Sequence, residues 1–140
     1  MRRVKALPRV LVIYAAAVLL DYAAQVVYAA DLYGLRVNPA GVALLGATFV
    51  WFLVGFWAVA SGRRFGWPLL TAYALAQVLF YAHGQLLLAF YGYGAIYELT
   101  HARDAIVLTV FLIGDLDFLA AIAALTYLLL RRPSALRLWP

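Results

Sequence analysis

Three carboxylates stand inside long apolar stretches of a chain that holds only six acidic residues: Asp21, Asp115 and Asp117. A carboxylate at the centre of a membrane helix costs about 2.5–3.5 kcal/mol on insertion scales, and residues of this kind mark proton and ion sites. His83 is a fourth ionisable group in such a stretch. Two carboxyls brought together in a low dielectric cannot both stay ionised cheaply. A pair of them is therefore suited to hold or pass a proton or cation. The alternative is a structural polar network in which Asp and Gln side chains lock neighbouring helices together.

The stretches that carry these residues define the architecture. Of 140 residues, 68% are hydrophobic and 12% charged, with a mean hydropathy of +0.94. A soluble domain is nearer 45–50% apolar, so the solvent of this fold is lipid. Four apolar runs, at 10–30, 40–60, 68–92 and 105–130, each approach or exceed the roughly 20 residues that cross a bilayer core. The expected fold is all-α: an integral membrane four-helix bundle of four transmembrane helices in one domain spanning 1–140. The breaks carry suitable signals. Gly34 follows the first run, and Asn38-Pro39 reads as a cap and a first-turn proline. Ser61-Gly62 closes the second run, Trp67-Pro68 opens the third, and Gly92-Tyr93-Gly94 loosens its end.

Charge placement orients the bundle. Arg2, Arg3, Lys5 and Arg9 precede the first run, Arg63 and Arg64 separate the second from the third, and Arg131, Arg132 and Arg137 follow the fourth. Only Arg36 and Arg103 fall on the other side, with Asp31, Glu98 and Asp104. The positive-inside rule places both termini in the cytoplasm of a multi-pass cell-membrane protein. The same rule accounts for a net charge of +5 without nucleic acid as a partner. The N-terminal run is too long for the apolar core of a signal peptide and is interrupted by Asp21, so it reads as a retained span.

Depth and face then sort the polar residues. Counted from the outer ends of their runs, Asp21, His83, Asp115 and Asp117 lie about 13–18 Å deep at 1.5 Å per residue. Tyr14, Ala17, Asp21, Gln25 and Tyr28 share one helical face; Gln77, Tyr81, Gly84, Gln85 and Tyr91 share another; Gly114, Asp117, Ala121 and Ala124 share a third. Small and polar stripes mark helix–helix contacts in lipid. The expected ligand- or proton-binding cluster is Asp21, Gln25, Gln77, Tyr81, Gln85 and Asp117. Asp115 points about 200° away from Asp117, among bulky neighbours. It is expected either to pair with His83 as a secondary site, by proton relay or as a satisfied ion pair, or to face a second subunit.

No metal centre or cofactor is expected. The chain has no cysteine, and one intramembrane histidine with carboxylates is a poor donor set for a transition metal. Glu98, His101 and Asp104 recur at three-residue spacing near the outer boundary, where solvated capping is the plainer role. Phosphate-binding loops, nucleophile elbows and zinc-protease motifs are absent. Ten tyrosines belong either to interfacial belts and packing or to a cavity for a flat apolar ligand. The leading expectation is a small membrane protein whose midplane carboxylate and amide site binds or moves a proton, cation or small polar solute. The alternatives are a non-catalytic subunit of a larger membrane complex, joined through the Asp115 face, and a lipid or isoprenoid enzyme using His83 and an aspartate as acid and base.

Overall fold

The computed structural model describes residues 7–33, 39–90 and 105–131, with side chains left out at 28–33, 84–90, 106 and 107. The described residues form an all-helical fold of four helices: α1 (Arg9–Tyr33), α2 (Pro39–Ala60), α3 (Gly66–Phe90) and α4 (Ala105–Leu130). Within them, Arg9–Val27, Pro39–Ala60 and Leu108–Leu130 are long and apolar enough to cross a membrane. The third helix is as long, at 25 residues, but carries Thr71, Tyr73, Gln77, Tyr81 and His83 along its length.

Each helix begins and ends for an identifiable reason. Pro39 takes the first position of α2, where its missing N–H is not required. The end of α2 is a Schellman motif: Arg63 N–H donates to Ala58 O at 2.8 Å and Gly62 N–H to Val59 O at 3.0 Å, with Gly62 at φ 68°. The third helix starts at Gly66 rather than Pro68, because a first-turn proline costs no intrahelical bond and the turn closes from Gly66 N–H to Arg63 O at 3.1 Å. Four threonines inside the helices bond their hydroxyls back one turn: Thr48 to Leu44 O, Thr71 to Trp67 O, Thr109 to Ala105 O and Thr126 to Ile122 O.

The fourth helix packs along both α1 and α3, and α2 packs along α3. The buried core runs through Leu11, Tyr14, Val18, Phe52, Leu70, Tyr73, Ala74, Ala121, Ala124 and Leu128. Small residues bring the helices close. Gly55 lies against the Leu70 backbone, where an added Cβ would meet Leu70 N at 3.3 Å. The Trp67 indole donates to Leu128 O at 3.0 Å, satisfying one of the four carbonyls that the end of α4 leaves open. Trp51 donates likewise to Leu69 O at 3.1 Å. The Trp67 contact puts the start of α3 beside the end of α4, so Arg63, Arg64 and Arg131 gather at one end. There the Arg63 guanidinium lies 4.7 Å from the centre of the Trp57 ring.

The outer surfaces of the helices are apolar. Ile13, Leu44, Phe80, Leu116 and Leu129 are each at least 60% exposed. Apolar exposure on this scale is untenable in water and ordinary in lipid, which agrees with the three apolar helices in pointing to a membrane protein.

Candidate functional site

The charge that folding hides best is Asp117, only 3% exposed on α4. Its position follows from the small-residue stripe: Ala121 and Ala124, one and two turns further on, are fully buried and let α1 approach closely. The Gln77 amide on α3 donates to Asp117 Oδ2 at 2.6 Å, and Gln77 Oε1 accepts from the Tyr14 hydroxyl of α1 at 2.6 Å. The amide thus bridges a donor and an acceptor on two other helices. Tyr14 is fully buried, its ring set edge-on to Phe52 of α2 with centroids 5.9 Å apart.

Asp21, on α1, is the second carboxyl. It lies beside Asp117 within hydrogen-bonding reach. Oδ1 of Asp21 and Oδ1 of Asp117 are both buried and have no hydrogen-bond partner. Two carboxylates have nothing to donate to each other. One proton held between them would give each carboxyl a partner and would also remove the repulsion between two like charges in a low dielectric. No Lys, Arg or His side chain forms an ion pair with either one among the described residues.

A second polar group lies nearby. The Tyr81 hydroxyl on α3 donates to Asp115 Oδ1, and the Tyr81 ring stacks on Phe118 at 4.4 Å and 18°. Between the two groups stands Gly114. A Cβ there would lie 3.9 Å from Asp21 Oδ1 and 4.0 Å from Tyr81 Cε2. A third group links α1, α2 and α3: the Tyr22 hydroxyl meets Thr48 Oγ1 at 2.9 Å and the Tyr73 hydroxyl at 3.0 Å. Tyr22 also borders an open apolar cleft of about 420 Å³ between α1 and α2, with Leu19, Ala23, Val26, Val42, Leu45, Gly46 and Phe49.

Of the cluster expected from the sequence, Asp21, Gln77 and Asp117 come together. Tyr81 lies beside them but bonds to Asp115. Gln25 does not join: its side chain is exposed, because one further turn carries it about 6 Å beyond Asp21 along the helix axis. The Gln85 side chain lies outside the described residues, as do Tyr28, Tyr91 and the Glu98, His101, Asp104 row. The secondary pair is arranged differently from the expectation. His83 is exposed and makes no bond to Asp115, which is taken by Tyr81. Asp117 is buried and Asp115, on the opposed face, is half-buried, because α4 packs on two helices at once. Sequence reasoning placed Tyr14 on the Asp21 stripe but left it out of the cluster. The missed signal was its side-chain length: a tyrosine two turns away reaches Gln77, where equal depth alone would exclude it.

No three of His, Asp, Glu or Cys converge on a metal position among the described residues. Comparison with protein families, with curated proteins and with solved structures finds no match.

Proposed function

We propose that this chain is a small polytopic membrane protein that binds and exchanges a proton at the Asp21–Asp117 carboxyl pair. The observation that carries the reading is the juxtaposition of two carboxyls on two helices, each with one buried oxygen that lacks a partner, with Gln77 and Tyr14 orienting Asp117. A proton suits this donor set better than a metal ion, since Mg²⁺ or Ca²⁺ requires six or more oxygens. The amide and the phenol have the role of positioning groups. The two carboxyls share the charge.

In this reading the four helices are four spans, and the arginines gathered where α2, α3 and α4 meet mark the cytoplasmic side. Both termini are then cytoplasmic and the membrane is the cell membrane. The absence of cysteine from the chain makes the orientation directly testable. A single cysteine at Arg64 is expected to react with a membrane-impermeant maleimide only in inverted vesicles, and one at Arg36 only in right-side-out cells. The reverse pattern, or labelling of both from one side, rejects the orientation.

Function is tested by reconstitution. Proteoliposomes under a pH gradient should show proton flux with the wild-type chain. Asp21→Asn and Asp117→Asn should each reduce it by roughly 100-fold or more, the scale of effect for a positioned proton-transfer group, while circular dichroism stays helical. Equal flux in wild type and both variants sinks the reading. Flux that follows Na⁺ or K⁺ instead of pH reassigns the pair to a cation. The subunit reading loses its motive on the Asp115 side, because Tyr81 already relieves that carboxyl. The lipid-enzyme reading finds no support in His83, which is exposed and bonds to none of the three aspartates.

A further inference from the structure

We propose that Tyr14 tunes the proton affinity of the Asp21–Asp117 pair while bonding to neither carboxyl, by fixing which way round the Gln77 amide faces. The inference rests on the proton-binding reading of that pair and adds the residue that tunes it.

A side-chain amide carries its acceptor on one side and its donors on the other, and turning it over exchanges them. Gln77 stands between two oxygens. Its Oε1 accepts from the Tyr14 hydroxyl at 2.6 Å, and its Nε2 donates to Asp117 Oδ2 at 2.6 Å. In that orientation each contact joins a donor to an acceptor. Turned over, the amide would set Oε1 against Asp117 Oδ2, a contact that holds only with a proton on Oδ2. It would also leave the Tyr14 hydroxyl proton without its acceptor. Tyr14 is fully buried, so solvent does not replace the lost partner, and a stranded buried donor is costly.

The phenol therefore holds the amide with its N–H toward Asp117 and confines Oδ2 to accepting. A proton on the pair is kept to the oxygens that remain, among them Asp117 Oδ1, which has no partner of its own. Without the phenol the amide is free to turn, and Oδ2 becomes a further place for the proton. The titratable groups around the pair are Tyr14 and Tyr22 from α1, Tyr73 and Tyr81 from α3, and Asp115 from α4. The second helix brings no ionisable side chain. Tyr22 and Tyr73 bond to each other, and Tyr81 bonds to Asp115. Among these phenols, Tyr14 is the one bonded to the side chain that donates to Asp117.

Infrared pH titration of the protein in lipid nanodiscs separates the tuning from the pair itself. The protonated-carboxyl band that Asp117→Asn removes reports the pair. Gln77→Met takes away the amide at similar side-chain length, and should move the midpoint of that band up by roughly 1–2 pH units, the worth of a hydrogen bond to a charged group. Tyr14→Phe keeps the ring and its edge-on contact with Phe52, so the fold should survive it. It should move the midpoint up by roughly half as much, and by nothing further in a Gln77→Met background, because Tyr14 acts through Gln77. A purely structural role for Tyr14 lowers the unfolding midpoint of Tyr14→Phe and leaves the band where it was. A band midpoint that stays or falls in Tyr14→Phe overturns the proposal, as does a shift that persists without Gln77. A wild-type protein with no titrating band that Asp117→Asn removes overturns the pair, and the tuning falls with it.

Discussion

Gly66→Ala should unfold at a markedly lower denaturant concentration than the wild type, although it adds a single methyl group at the first residue of a helix. A Cβ on Gly66 would stand 2.4 Å from Val59 N, 2.5 Å from Ala58 C and 2.7 Å from Ala58 Cβ. Two of these three atoms belong to the α2 backbone, so no side-chain rotation can relieve the clash. The turn between α2 and α3 would have to open. Overpacking of this kind costs about 1–3 kcal/mol and sometimes more, against a gain of at most about 1 kcal/mol from replacing glycine by alanine in a helix. The net effect is destabilising. Gly46→Ala is the control with the opposite sign: nothing lies within 4 Å of its Cβ, so only the propensity gain remains and stability should rise slightly. Unfolding midpoints in mixed detergent micelles measure both. A Gly66→Ala protein as stable as wild type would mean that the two helix ends do not approach as closely as the structure has them.

The consequence reaches the carboxyl pair. Gln77 lies eleven residues along α3 from Gly66, about 16 Å at the helical rise, and its two 2.6 Å bonds hold only while α3 keeps its place against α1 and α4. Residues at a hairpin turn therefore set the geometry of a site far above them.

That dependence also explains what the sequence could and could not convey. Matching depth brought Asp21 and Asp117 to one level and the shared helical faces added Gln77, because depth and face follow from rise per residue and helical period alone. The partner of Asp115 did not follow. Periodicity tells which residues share a face but not how many faces of a helix are covered, and α4 is covered on two. His83 was paired with Asp115 by depth, yet its side chain is exposed while Tyr81, two residues earlier, supplies the hydroxyl. The role of α2 was similarly hidden. It has no ionisable residue, but Thr48 anchors Tyr22, and Phe52 seats the ring of Tyr14. Those are contacts of side-chain reach, which spacing along one helix cannot report.

Replacing the whole network by apolar residues should give a protein at least as stable as the wild type and without proton exchange. In the combined variant Tyr14→Phe, Asp21→Leu, Gln77→Leu and Asp117→Leu, every polar member of the linked set is removed at once. Removing one member alone is different. Gln77→Leu strands the Tyr14 hydroxyl and Asp117 Oδ2, and an unpaired buried polar group costs about 1–3 kcal/mol. The cost is softened in lipid, where measured interhelical hydrogen bonds average about 0.6 kcal/mol. Removing all partners leaves nothing stranded, and exchanging a buried charged network for well-packed apolar groups is often neutral or stabilising by about 1–4 kcal/mol. In the proposed four-span placement, each aspartate lost also spares an insertion cost of about 2.5–3.5 kcal/mol. The single and combined variants are therefore strongly non-additive, and a thermodynamic cycle on unfolding midpoints reads the coupling. The two accounts of the carboxyls diverge at this point. If Asp21 and Asp117 are kept for proton chemistry, the network-free protein is stable and inert in the flux assay. If they are kept to lock the helices, it is less stable than Gln77→Leu, and the proton reading loses its argument from energetic cost.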